Sequence, residues 1–145
     1  MQSVEITCEL GISADAAWRV LADFPGFLKW AAGRQGSIEI EGEGIGMIRH
    51  MDLPGVGKMA ERLDQLEHSA RTSTIGYSLV YGNPAGLGEY SAVATLTSTG
   101  ANSCKIDWHG EFTPAEGEES ASVAKNLETA YQGMSEALTA YVQDG

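Results

Sequence analysis

Two opposite charges sit where strand parity turns them inward. Over residues 46–53, Met47, Arg49, Met51 and Leu53 share one side, and Ile48, His50 and Asp52 share the other. Over residues 58–67, Met59, Glu61, Leu63 and Gln65 fall together. The apolar neighbours choose the buried face, so Arg49 and Glu61 point inward with them. Burying either charge alone is costly, whereas a hydrogen-bonded pair of opposite sign is tolerated. If Pro54-Gly55 closes a hairpin between the two strands, Arg49 and Glu61 stand almost opposite each other. Two roles stay open: an ion pair that holds sheet register, or a polar contact for a ligand or a water. Acid–base catalysis would need a proton within reach of Glu61, and nothing in the sequence supplies one.

Aromatic residues come next. Tyr77 shares a side with Leu79, and Tyr90 with Ala92, both on inner faces by the same parity. A tyrosine there offers area and a polar tip, which suits an amphipathic ligand and an ordinary core equally. Trp108 lies with Cys104, Ile106 and Phe112, while Lys105, Asp107, His109 and Glu111 look outward. Near the C-terminus, Leu127, Ala130 and Met134 recur at helical spacing and would face the same interior. Other motifs fail. Gly42-Glu43-Gly44-Ile45-Gly46 mimics a dinucleotide loop, but Met47 stands where its third glycine belongs and a strand follows. Cys8 and Cys104 form no CxxC unit and have no metal-ligand spacing to His50, His68 or His109. No cofactor or metal is expected, and no serine or cysteine hydrolase site is arranged.

These side chains need elements to position them. Val4, Ile6, Cys8, Leu10 and Ile12 alternate with polar residues, which marks a first strand. Ser13 offers an N-cap for a helix over 14–22, which Pro25 ends. A second short helix is expected at about 26–32, with Phe27, Leu28 and Trp30 apolar. Six further strands follow: 37–41, 46–53, 58–67, 71–81, 87–98 and 103–113. After Pro114, Val123, Leu127, Ala130, Tyr131, Met134, Leu138, Tyr141 and Val142 recur at steps of three and four. They predict one long amphipathic helix over about 117–143 with an acidic start at Glu116, Glu118 and Glu119. Seven strands with one buried face must curl around something apolar, and only this helix is long enough.

That order resembles the helix-grip fold of the START-like (SRPBCC) superfamily, which includes the birch-pollen allergen, bacterial polyketide cyclase/dehydrase proteins and plant abscisic-acid receptors. The likeness is carried by ISADAAWRVLADFPGFLKW, GIGMIRHMDLPG, AERLDQLEHSARTSTIGYSL, GEYSAVATL and KIDWHGEFTP, and it spans essentially the whole chain. It implies an α+β fold in which a seven-stranded antiparallel sheet grips the C-terminal helix. It also implies a central cavity for a hydrophobic or amphipathic molecule, lipid- or polyketide-like. The competing implication is a polyketide cyclase/dehydratase using that cavity, and a third is an interaction module with a collapsed one. By resemblance Arg49 and Glu61 lie in or beside the cavity and Tyr77 and Tyr90 line it. Leu53-Pro54-Gly55 and the Asn83–Leu87 segment stand where the plant receptors carry gate and latch loops. The second segment lacks the receptors' charged pair, so hormone-type switching is not expected.

Composition bounds the rest. The 145 residues carry 20 acidic against 9 basic side chains, a net charge of -11, and are 43% hydrophobic. That suits a single domain over residues 1–145 with a real core. Such acidity disfavours nucleic acid, which needs clustered bases, and anionic membrane surfaces equally. No apolar run is long enough to insert in a membrane. The first residues lack the pattern of a signal peptide, so a cytoplasmic location is expected. The expected partner is a small hydrophobic molecule, with a homodimer left open.

Overall fold

The computed structural model describes residues 1–144. Strand β1 (Gln2–Leu10) leads into helix α1 (Ala14–Leu21), whose N-cap is Ser13. The Ser13 hydroxyl accepts the Ala16 N–H at 3.1 Å, satisfying one of the donors a helix start leaves free. The expected second helix is instead two 3₁₀ turns, Phe24–Lys29 and Ala32–Arg34. Pro25 can open such a turn but cannot donate within it, and Gly33 takes a left-handed conformation with φ 65°.

Six strands follow: β2 (Ser37–Glu41), β3 (Ile48–Leu53), β4 (Gly57–His68), β5 (Thr72–Tyr81), β6 (Leu87–Gly100) and β7 (Ser103–Pro114). They form one antiparallel sheet in the order β1-β7-β6-β5-β4-β3-β2. Helix α2 (Ser120–Asp144) crosses the concave face and packs on β1 and β7. It begins after Glu116, Glu118 and Glu119, so those carboxylates precede its first turn. This is the helix-grip architecture expected from the element order.

Register confirms most of the parity reading; of the shifts along the sheet, the one late in β4 changes which residues face inward. Arg49 pairs directly with Glu61, and Met51 with Met59. Between Leu63 and Gln65 the β4–β5 register shifts, so Gln65 opposes Gly76 and Leu66 opposes Ile75. One extra residue in a strand reverses the alternation beyond it. Gln65 therefore leaves the inner set. His68 turns to that side while staying exposed, stacking on Trp18 at 5.7 Å and meeting the Ser73 hydroxyl at 2.6 Å.

The core lies between sheet and helix. Trp108, Phe112, Leu96 and Ile106 from the sheet are enclosed with Val123, Tyr131 and Leu138 from α2. Cys104 is buried and Cys8 half-buried on neighbouring strands, two pairs apart diagonally, and both are free thiols. No helix is long and apolar enough to cross a membrane.

Candidate functional site

Arg49 and Glu61 meet as direct partners of β3 and β4. Arg49 donates from Nε and Nη2 to the same Glu61 oxygen, Oε1, at 2.9 and 2.6 Å. Its third nitrogen, Nη1, donates to the Phe24 carbonyl at 3.2 Å. The guanidinium carbon lies 3.9 Å from the Phe24 ring centroid, 4.2 Å from Phe27 and 5.3 Å from Tyr77. A delocalised cation suits such aromatic packing, because it is weakly hydrated and attracted to ring faces. The pair therefore does two things at once. It satisfies two buried charges, and it ties the first 3₁₀ turn down over the mouth of the sheet. Glu61 keeps its other oxygen, Oε2, free of any donor among the described residues. No enclosed side-chain nitrogen or oxygen among them lacks a partner, so Oε2 borders open space.

A small pocket adjoins the pair. Leu21, Asp23, Phe27 and Trp30 roof it, Arg49, Ile75, Tyr77 and Trp108 form its sheet wall, and Met134 closes it from α2. Its volume is ≈ 20 Å³, about the space one water needs. Glu61 does not line this space; it is the strand partner of Arg49, which does. Asp23 is the one carboxylate on the rim, and it faces Lys29 at 3.5 Å.

Three tyrosines extend the polar line inward. Tyr90 and Tyr131 share a hydrogen bond of 2.6 Å between their hydroxyls. Tyr77 packs edge-on to Tyr90 at 6.3 Å. Burial raises the pKa of Tyr77, and the nearby Glu61 charge adds to this. Tyr90 is raised by burial first and by Tyr77 and Tyr131 next. Burial pushes Tyr131 up to about 12. All three therefore stand as neutral hydroxyls near neutral pH.

The other expected residues divide. Tyr77, Trp108 and Met134 reach the pocket with Arg49. Leu63, Tyr90 and Leu127 are buried in the surrounding core, and Leu79 is half-buried beside Glu61 in register. Met51 and Met59 are buried against each other in register, towards the β3–β4 hairpin and away from the pocket. Ala130 is a correction: it is exposed. The buried face of α2 runs through Val123, Leu127, Tyr131, Ser135 and Leu138, which leaves Ala130 on the solvent side. Ser135 takes the inward place because it accepts the Trp108 indole N–H at 2.9 Å and donates to the Tyr131 carbonyl at 2.9 Å. Neither segment expected at the mouth lines the pocket. The Asn83–Leu87 turn is held to α2 by Asn126, which donates to the Ala85 carbonyl at 3.0 Å.

The sheet gripping a C-terminal helix, with a buried charge pair at one end of the interior, defines a helix-grip protein. The family described as polyketide cyclase/dehydrase and lipid transport matches residues 1–143. The chain belongs to that family. Among solved structures, Ara h 8.0201 is similar with TM-score 0.78 and 19% identity, over 99% of both chains. Norcoclaurine synthase from Thalictrum flavum gives 0.71 and 21%, over 99% of this chain and 94% of that one. The ZhuI aromatase/cyclase from Streptomyces gives 0.69 and 20%, over 99% and 92%. Likeness at such low identity speaks for the fold alone. No curated protein matches in sequence. Among the described residues no group of His, Cys, Asp and Glu could hold a metal ion.

Proposed function

We propose that this chain binds a small, neutral amphipathic molecule in the cytoplasm, at the Arg49 end of the interior between sheet and α2. The carrying observation is the buried Arg49–Glu61 pair beside a pocket roofed by a short 3₁₀ turn. Arg49 is the one buried cation among the described residues, and Glu61 already neutralises it. An anionic headgroup would enter as an uncompensated charge. A hydroxyl or carbonyl group would instead find a polar partner in Tyr77, whose neutral phenol belongs to the pocket wall.

Ligand pockets commonly measure about 300–1,000 Å³, so binding requires the present ≈ 20 Å³ to enlarge. Opening falls to the roof. Phe27 is only half-buried, and its turn is fixed below by one Arg49–Phe24 bond. Met134 is half-buried as well, and its flexible thioether can re-pack. A cyclase would use the same space, but it would need a proton acceptor at the pocket, and Asp23 is turned to Lys29.

The test is native mass spectrometry of the purified protein, followed by thermal melting with hydroxyarenes and with fatty acids. The reading expects a bound or stabilising neutral hydroxyarene, weakened by Tyr77→Phe. Stabilisation by fatty acids alone, or by no compound of either class, would overturn it.

A further inference from the structure

Tyr131 is wholly buried, yet no contact in the pocket explains why a tyrosine stands there. Its ring stacks on Trp108 at 4.9 Å with an interplanar angle of 6°. Its hydroxyl crosses from α2 to the sheet and meets Tyr90. The sheet is hollowed to receive it. Gly110 lies directly beneath, and a Cβ there would collide with the Tyr131 hydroxyl. Ala92 pairs with Gly110, and Ala94 with Trp108. Three small residues on adjacent strands thus form a dent in the wall, filled by the Tyr131 phenol with the Tyr90 ring at its edge. The pocket lies on the near side, where Trp108 and Met134 border it. Beyond Tyr131 the interior is occupied by Phe112, Val123 and Leu127.

We propose that Tyr131 sets the size limit for the ligand: it partitions the interior and confines any bound molecule to the Arg49 end. The inference rests on the binding reading above and adds its specificity-determining residue. The ring does this work. Its area and rigidity exclude a longer molecule, while the hydroxyl bond only fixes the ring's position. Removing the ring would open space directly behind Trp108 and Met134, the two residues that border the pocket on that side. A longer apolar body could then extend over Ala92 and Gly110, gaining burial that the wild-type site denies it.

The experiment measures calorimetric affinity for phenol, naphthol and hydroxyanthracene, a series that adds one ring at a time to the same polar end. The proteins are wild type, Tyr131→Ala, Tyr131→Leu, Tyr131→Phe and Val123→Ala. Val123→Ala truncates the same buried helix face away from the pocket, so it controls for general loosening. Tyr131→Ala should shift preference towards hydroxyanthracene over phenol by about tenfold or more. Tyr131→Leu should shift it the same way by less, which keeps the test available if the alanine variant does not fold. Tyr131→Phe and Val123→Ala should keep the wild-type order. The proposal is overturned if neither truncation of Tyr131 changes the order, or if Val123→Ala changes it equally. Wild-type binding with an unchanged order in both truncations would sink this inference and leave the binding reading standing. Absence of binding in every protein would sink both.

Discussion

Arg49 places two of its three nitrogens on a single oxygen of Glu61, across directly paired positions of β3 and β4. The pair is not a symmetric fork. One Glu61 oxygen is left over, and the third Arg49 nitrogen is spent on the Phe24 carbonyl of the roof. Losing the cation therefore affects charge balance and roof together. Arg49→Met should cost about 3–5 kcal/mol, because a buried carboxylate is left without its partner. Arg49→Met with Glu61→Leu should recover most of that loss, since an apolar pair leaves no charge behind. Urea unfolding of the single and double variants measures both. Equal loss in the two would show that the roof contact, and not the charge, dominates.

Gly110 and Tyr131 make a second, independent pair. Gly110→Ala should destabilise by about 1–3 kcal/mol, the usual cost of forcing atoms into a packed core. The colliding atom is the Tyr131 hydroxyl. In a Tyr131→Phe background the same substitution should cost clearly less. Denaturant midpoints for the four proteins of this cycle give the coupling. Additive losses would mean that the close approach is relieved by backbone movement.

Alkaline pH should unfold the protein through its tyrosines. Burial raises the pKa of Tyr77, Tyr90 and Tyr131, the last from 10.0 to about 12. An unfolded tyrosine loses its proton near 10.0 while the folded one retains it. Over that interval the folded state binds more protons, so stability falls as pH rises. Stability from this source should be intact below pH 10 and lost progressively towards pH 12. Melting temperatures across that range, read beside tyrosinate absorbance, check the claim. Of the five tyrosines, Tyr81 and Tyr141 are not enclosed, so tyrosinate from more than two tyrosines before unfolding would contradict it.

The phase of α2 can be tested on its surface. Ala130→Glu should change stability by less than about 0.5 kcal/mol, as an exposed substitution does. Ser135→Ala should cost about 1–3 kcal/mol, because it strips the Trp108 indole of its acceptor. Thermal melts of the two variants decide the phase. A large loss at Ala130 would turn the helix by a third of a turn from its described face.

Local periodicity carried most of the fold. Alternation of two placed Arg49, Glu61, Tyr77, Tyr90 and Trp108 on inner faces, and one long helical period placed Leu127 and Met134. These are short-range properties of a chain whose side chains repeat with its backbone. Ala130 was misplaced because small apolar residues fit either side of a helix boundary, and Ser135 was missed because a buried hydroxyl looks like a surface one. Gln65 was misplaced because a bulge is a matter of hydrogen-bond register between strands and leaves no mark on hydropathy. Phe24, Phe27 and Trp30 sit in turns without a period, so nothing in their spacing announced a roof over Arg49. The size of the interior was decided by tertiary structure alone. It depends on a phenol from α2 landing on a glycine of β7, and only packing brings those two positions together.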